Sequence, residues 1–265
     1  MRLTFLGTGT SFGIPQIGCD CRVCTSGDLR DKRNRAAVVI ESDGAVVLVD
    51  TPPELRISMV RAGIRGVDAV LFTHDHADHT HGIDDLRALS GRSRGMLPVF
   101  GAGDALERMR LKFDYVFEPW VRPIPGSSRP KVTVVALEPG VEFTVAGVRV
   151  LPLRFSHGPT DVLGYRFGPL AYVTDVKEVG PPELAALAGL DVLVINALFH
   201  RPHPTHLSIP EAVETALAIG AARTYLTHLT HETSHAELEA ELPPEIRPAY
   251  DGLVVEIPRK GGRTT

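Results

Sequence analysis

The stretch Ala69-Val70-Leu71-Phe72-Thr73-His74-Asp75-His76-Ala77-Asp78-His79 constrains this chain more than any other. The four apolar residues at its start make a short buried strand. The six residues that close it hold three histidines and two aspartates, a density that packing does not call for. Neutral imidazole nitrogens and carboxylate oxygens are the donors that Zn²⁺, Mn²⁺ and Fe²⁺ prefer. A turn leaving a strand can aim His74 and His76 at one ion while Asp78 and His79 point at a neighbouring one. A second cluster lies upstream: all three cysteines, Cys19, Cys21 and Cys24, fall within six residues. An odd number is a poor disulfide framework, whereas Cys-x-Cys-x-x-Cys in a loop is three-quarters of a tetrahedral thiolate site, its fourth ligand lying elsewhere.

A chain of 265 residues that is 43% hydrophobic can bury a sizeable core. No apolar run is long enough to span a membrane, and the start, Met1-Arg2-Leu3-Thr4-Phe5, enters a strand-like alternation without signal-peptide anatomy. The expected location is therefore the cytoplasm. The formal net charge of −4 argues against non-specific nucleic-acid binding.

Strands are expected at Arg2–Leu6, at Ala37–Glu41 and Ala45–Asp50 around the Ser42-Asp43-Gly44 turn, at Ala69–Phe72 and at Pro98–Phe100. A long Gly-rich loop runs from Gly7 to about Arg35. Helices are expected at Pro53–Ala62, from Gly82 onward, and at Asp104–Phe113 with Asp104 as its cap. The segment Glu118–Arg129, with the only Trp (Trp120), reads as a loop that is either a surface connection or a wall of the substrate cleft. The second part repeats the mixture. It has strands at Val132–Ala136, Val141–Val145, Val148–Leu153, Leu163–Phe167, Ala171–Thr174, Val192–Ile195, Thr224–Thr227 and Leu253–Ile257, and helices at Pro182–Ala188, Ser208–Ile219 and His235–Leu242. Ser208 and Glu211 form a capping box. No linker is visible, so residues 1–265 are read as one α+β domain with the Cys-rich loop at about 18–25.

Three more apolar strands end at candidate ligands: His157 after Leu151–Ser156, Asp175 after Ala171–Thr174, and His228 after Tyr225–Thr227. Asp50, which ends Val46–Val49, is either a group orienting a ligand histidine or a turn cap.

His74-x-His76-x-Asp78-His79 after an apolar strand, together with the opening Leu6-Gly7-Thr8-Gly9-Thr10, resembles the metallo-β-lactamase-fold hydrolases over nearly the whole chain. The resemblance implies a four-layer αββα sandwich built from two halves. It assigns His74, His76 and His157 to one divalent ion, Asp78, His79 and His228 to a second, and Asp175 to a bridge between them. Two such cations, Zn or Mn, make a hydroxide available from a shared water and clamp the scissile group.

Within that family, Gly18-Cys19-Asp20-Cys21-Arg22-Val23-Cys24 resembles the structural zinc loop of the PhnP-type phosphodiesterases. That resemblance supplies His231, three residues after His228, as the fourth zinc ligand, with His235 as the rival. It also places in Pro202–Ser208 a histidine that protonates the leaving alkoxide. His206, directly before a helix, fits best, and His200 and His203 are rivals. Asp78 and His206 are thus the residues expected in catalysis, Asp78 doubling as a ligand.

The short stretch between His157 and Asp175 has no room for the Gly-rich tRNA-gripping arm of tRNase Z, so a small, cyclic phosphodiester is expected in place of tRNA. His81 or Arg87 could touch it, although Asp84 and Asp85 are also explained by the dipole of a helix N-terminus. No membrane partner is expected, and a homodimer is the assembly left open. The competing readings are a thioester or lactone hydrolase, for which His206 would be dispensable, and a non-hydrolytic protein resembling PqqB of cofactor biosynthesis.

Overall fold

A computed structural model describes residues 1–92, 95–121 and 123–258. Fourteen strands are found among them. β1 (Arg2–Gly7), β2 (Ala37–Ser42), β3 (Ala45–Val49), β4 (Ala69–Leu71), β5 (Leu97–Ala102) and β6 (Val132–Leu137) lie in one sheet. β7 (Phe143–Val145), β8 (Val148–His157), β9 (Thr160–Phe167), β10 (Leu170–Val173), β11 (Val192–Asn196), β12 (Arg223–Thr227) and β13 (Ile246–Pro248) form the other, and β14 (Val254–Glu256) returns to the first. The spatial orders are β14-β1-β2-β3-β4-β5-β6 and β7-β8-β9-β10-β11-β12-β13.

The two orders are the same plan used twice. In each, the first four strands are antiparallel and the last four parallel, β3 to β6 in one sheet and β10 to β13 in the other. The outermost antiparallel strands exchange roles, since β7 precedes its half whereas β14 ends the chain. The repeat implied by the family resemblance is therefore present in topology, although no repeated sequence betrays it.

Three apolar cores separate four layers. Leu3, Phe5, Ile40 and Val49 of the first sheet meet Val150, Tyr165, Tyr172 and Val194 of the second. The outer face of the first sheet is covered by helices Leu55–Arg61, Leu86–Arg92 and Gly103–Lys112 through Leu55, Met59, Leu86, Leu106 and Met109. Ile209, Ala212, Ala216 and Leu238, from helices Ile209–Ile219 and His235–Glu241, cover the second. Strand β11 is apolar along Val192–Ile195 because Val192 and Val194 face the other sheet while Leu193 and Ile195 face helices. The arrangement is the expected αββα sandwich. No described helix is long and apolar enough to cross a membrane.

Polar ties fix the sheets at the end of β4. The buried Tyr165 hydroxyl donates to the Phe72 carbonyl at 2.6 Å, and the Leu163 N–H donates to the Thr73 carbonyl at 2.9 Å. Losing such a buried partner costs about 1–3 kcal/mol.

Some local expectations need correction. Asp104 does not cap its helix: the cap position is Ala102 and no side chain bonds there, Asp104 pairing instead with Arg108 at 3.1 Å. The run after Gly82 is a 3₁₀ turn at Ile83–Asp85 before the helix proper begins at Leu86. Strand β13 and the short helices Ala77–Thr80 and Asp114–Phe117 were not anticipated. The capping box of Ser208 and Glu211 forms as expected.

Candidate metal centre

Four of the candidate ligands lie at or just beyond the C-terminal end of a strand, and Asp78 and His79 lie in the helix Ala77–Thr80 that follows β4. His74 follows β4, His157 ends β8, Asp175 follows β10 and His228 follows β12. Three of the site's residues take a left-handed backbone that few non-glycine residues adopt: Asp50 (φ 65°), Asp175 (φ 61°) and His228 (φ 58°). Such strain persists where the surroundings over-determine it, which is typical of functional sites. Asp50 and Asp175 follow equivalent strands of the two halves, β3 and β10, and share this turn.

The donor atoms converge. His74, His76 and His157 form one group, and Asp78, His79, Asp175 and His228 another, each with its donor atoms within 4.8 Å of one another. Asp175 stands between them: Oδ2 lies 3.7 Å from His74 Nε2 and 3.3 Å from His79 Nε2, and Oδ1 lies 3.4 Å from His228 Nε2. Asp78 Oδ2 lies 3.4 Å from His79 Nε2 and 3.6 Å from His228 Nε2. The Nε2 atoms of His74, His79 and His228 are buried with no hydrogen-bond partner. Buried polar atoms are normally paired, so lone pairs gathered around carboxylates in this way fit divalent cations.

The hydrogen bonds behind the rings set their tautomers. Asp50 is fully buried and accepts from the Thr73 N–H (2.8 Å), the Thr73 hydroxyl (2.8 Å) and His79 Nδ1 (2.7 Å). Because the Thr73 hydroxyl spends its proton on Asp50, its oxygen accepts from His74 Nδ1 at 3.0 Å. One carboxylate therefore keeps a proton on Nδ1 of two histidines and turns Nε2 toward the donor cluster, directly on His79 and through Thr73 on His74. His157 Nδ1 donates to the Thr205 carbonyl at 2.9 Å with the same effect. Of the two roles open to Asp50, orientation is thus visible in the contacts.

Electrostatics separate His79 from the other three rings. Burial, strengthened by His79, pushes His74 well below the usual imidazole range, and burial lowers His76 and His157 as well. For His79, burial acts downward but Asp175, Asp78 and Asp50 outweigh it and raise it well above that range. For Asp175, burial is likewise overcome, by His228 and His79, and the carboxyl is held far down. The neighbouring Asp75 is no ligand; Arg108 at 2.8 Å and Lys112 at 2.6 Å hold it, anchoring the turn to the helix Gly103–Lys112.

A second candidate site lies on the N-terminal loop. His231 Nδ1 is 3.3 Å from Cys19 Sγ, 3.5 Å from Cys21 Sγ and 3.4 Å from Cys24 Sγ. A tetrahedral zinc with ordinary Zn–S and Zn–N bonds has S···N edges of about 3.6 Å, so the four donors are spaced for one closed ion. Backbone N–H groups of Gln16 and Cys24 point at Cys24 Sγ and Cys21 Sγ. The Cys24 N–H brings the Cys21 thiol down to about 6, as a ligand thiolate requires, whereas burial lifts Cys24 to about 11. The rival His235 is elsewhere, its N–H on Asp31 and its Nδ1 3.3 Å from Arg33.

His206 stands beside the metal group, its buried Nε2 unpartnered and 3.6 Å from Asp175 Oδ2. His157, Asp175 and His206 are also mutually within 4.8 Å. His203 backs it at 3.3 Å, whereas His200 is exposed and paired with Glu241 at 2.8 Å, away from the site. His81 packs against Phe113, Arg87 pairs with Asp84, and Trp120 is 72% exposed and outside the cavity lining.

The cavity over the donors has a volume of about 280 Å³ and is bordered by Ser11, His76, Pro159, Thr160 and His206 among others, with no lysine or arginine among its described residues. Thr73 and Thr205 were not foreseen. A signal existed: threonine directly precedes His74, Asp175, His206 and His228 alike.

Fold and site together define a metallohydrolase scaffold whose clustered histidines and aspartates suit a metal site. The chain belongs to the beta-lactamase superfamily, whose domain model matches residues 46–229, and within it to the metallo-β-lactamase-fold hydrolases. A crystal structure of a diphosphatase from the PhnP family superposes with a TM-score of 0.88 at 37% identity, over 97% of this chain and 98% of that one, which supports the PhnP-type branch. An octanoyltransferase of Porphyromonas gingivalis is 40% identical over 99% of this chain, but the chain spans only 53% of that protein. A ribonuclease Z of Bradyrhizobium diazoefficiens is 27% identical over 90% of this chain and 93% of its own.

Proposed function

We propose that this protein is a metal-dependent phosphodiesterase acting on a small phosphodiester, cyclic ones included. The observation that carries the reading is His206, whose unpartnered Nε2 faces Asp175 at the edge of the donor cluster. The histidine triad and Asp175 already suffice for the first ion, so His206 is free to handle a proton. An alkoxide leaving without metal contact needs that proton.

Divalent ions held by His74, His76, His157, Asp78, His79, His228 and Asp175, Zn or Mn in this reading, supply a nucleophile from water at neutral pH and neutralise phosphoryl charge. A zinc held by Cys19, Cys21, Cys24 and His231 pins the N-terminal loop to the His228 segment. The chain's own residues do the rest. Asp50 and Thr73 keep the ligand rings aimed, Asp78 and Asp175 set the negative charge that makes room for two cations, and His206 Nε2 delivers a proton to the departing oxygen.

The cavity favours a small ester carrying one charge, because no lysine or arginine is among its described residues to meet further anionic groups. Strands β9 and β10 take up the connection from His157 to Asp175, leaving no arm to grip tRNA. A second reading, cleavage of a diphosphate, is favoured by the PhnP-family relative described as a diphosphatase. A phosphate leaves without an acid, so the two readings part at His206.

The test uses protein loaded with Mn²⁺ or Zn²⁺ against bis(p-nitrophenyl) phosphate, nucleoside 2′,3′-cyclic phosphates, a dinucleoside diphosphate and an acyl thioester. His206→Ala should cut turnover of the cyclic esters by about a hundredfold or more at unchanged metal content. Turnover of the diphosphate alone, unaffected by His206→Ala, establishes the second reading. Thioester turnover without phosphodiester turnover overturns both.

A further inference from the structure

Thr205 makes more contacts inside the site than a cavity-lining residue requires. Its carbonyl accepts from His157 Nδ1 at 2.9 Å, and its hydroxyl oxygen lies 2.8 Å from His206 Nδ1 and 3.2 Å from His203 Nδ1. Its own N–H donates to His203 Nδ1 at 3.3 Å. Its methyl packs where only a glycine leaves room: a Cβ on Gly158 would sit 2.5 Å from Thr205 Cγ2, and Gly158 has φ +65°. Every polar atom of Thr205 is engaged, and its rotamer is held from the other side by packing.

The direction of the chain follows from its fixed end. The backbone N–H of Thr205 can only donate, so His203 Nδ1 is an acceptor and carries no proton. The Thr205 hydroxyl then gives its single proton to His203 Nδ1, and its oxygen accepts from His206 Nδ1 at 2.8 Å, a nearer acceptor for that ring proton than His203 Nδ1 itself at 3.3 Å. The order is His206 Nδ1–H to Thr205 Oγ1–H to His203 Nδ1. With Nδ1 holding a proton before and after transfer, Nε2 is the nitrogen that exchanges one. The logic repeats that of His74, Thr73 and Asp50, in which a hydroxyl also passes the orientation of a ring to an acceptor behind it. Here the terminal acceptor is an imidazole in place of a carboxylate.

We propose that Thr205 is the positioning residue that fixes the tautomer and angle of His206, with His203 as the anchor behind it. Through its carbonyl the same residue ties His206 to the ligand His157, so that acid and ligand keep one mutual placement. The kinetic consequence rests on the phosphodiester reading; the tautomer does not.

The experiment compares wild type with Thr205→Val, which keeps the branched shape and removes the hydroxyl, and Thr205→Ser, which keeps the hydroxyl and removes the methyl. In the zinc-loaded, ¹⁵N-histidine-labelled protein, long-range ¹H–¹⁵N spectra should show His206 protonated at Nδ1 in wild type and Thr205→Ser, and a mixed tautomer in Thr205→Val. A fixed Nδ1–H tautomer persisting in Thr205→Val overturns the proposal. Metal content should be equal in all three. With a cyclic phosphate, whose leaving group is an alkoxide, kcat of Thr205→Val should fall about tenfold, part of the effect of a whole general acid, at unaltered KM. With bis(p-nitrophenyl) phosphate, whose leaving group needs no acid, kcat should stay within about twofold. Equal loss on both esters overturns the positioning role. Absence of any phosphodiester turnover in wild type counts against the proposed function, while the spectra still decide the tautomer.

Discussion

Asp50→Asn isolates what one buried carboxylate does for two histidines of the metal site. The change is nearly isosteric, and the left-handed backbone at residue 50 (φ 65°) is one that Asn tolerates as well as Asp, so the turn has no reason to move. The carboxylate accepts three hydrogen bonds, from the Thr73 N–H, the Thr73 hydroxyl and His79 Nδ1. A carboxamide keeps one acceptor oxygen. If that oxygen stays with the Thr73 N–H, the NH₂ group faces His79 Nδ1 and the Thr73 hydroxyl. Donating to His79 Nδ1 moves the ring proton to Nε2, where the ion needs a lone pair; donating to Thr73 turns its proton toward His74, with the same result there. Restoring the useful tautomers leaves a buried donor unpaired at a cost of about 1–3 kcal/mol. That range agrees with the ten- to hundredfold loss of metal affinity, about 1.4–2.8 kcal/mol, usual when a group behind a ligand is removed. Zinc competition against a fluorescent chelator measures it, with the Cys19–His231 site as the internal reference, since Asp50 touches none of its residues. A folded Asp50→Asn protein that binds metal at the histidine–aspartate cluster as tightly as wild type would refute the reasoning.

Two further outcomes follow from the same contacts. Elemental analysis should find about three metals per chain, and Cys21→Ser should lose one of them together with thermal stability, because a closed thiolate site contributes its binding energy to the fold. Glu211 bonds Ser208 and pairs with Lys177 at 2.7 Å, which together overcome burial and hold its carboxyl down to about 2 from 4.5. A depressed pKa stabilises the fold above the unfolded value, so this contribution is full above pH 4.5 and fades as pH falls toward 2. Melting curves of wild type and Glu211→Gln should therefore differ at pH 7 and converge at the acid end; parallel curves throughout would show that the charge is idle.

The capping box illustrates what was readable without a fold. Ser208 and Glu211 interact over three residues, and short-range geometry repeats wherever that spacing occurs. Asp104 looked equally suited to its helix start, yet there the strand β5 runs straight into the helix, so the cap position falls on Ala102 and Asp104 turns to Arg108. Strand β13 escaped notice because Ile246–Pro248 is three residues long, and its proline lies at the sheet's edge.

The amino-acid sequence by itself determined the donor types and the places where they can stand. Three histidines and an aspartate share one turn, and each remaining ligand ends an apolar strand, because strand ends carry side chains out of a core wherever the strand lies. Tertiary structure alone decided which donors meet and how they are turned. Asp50 reaches His74 through Thr73, Thr205 holds His157 from 48 residues away, and His231, not His235, meets Cys19 from 212 residues away. Such pairings depend on how two sheets are stacked, and a contact between distant strand ends leaves no period in the chain from which it could be read.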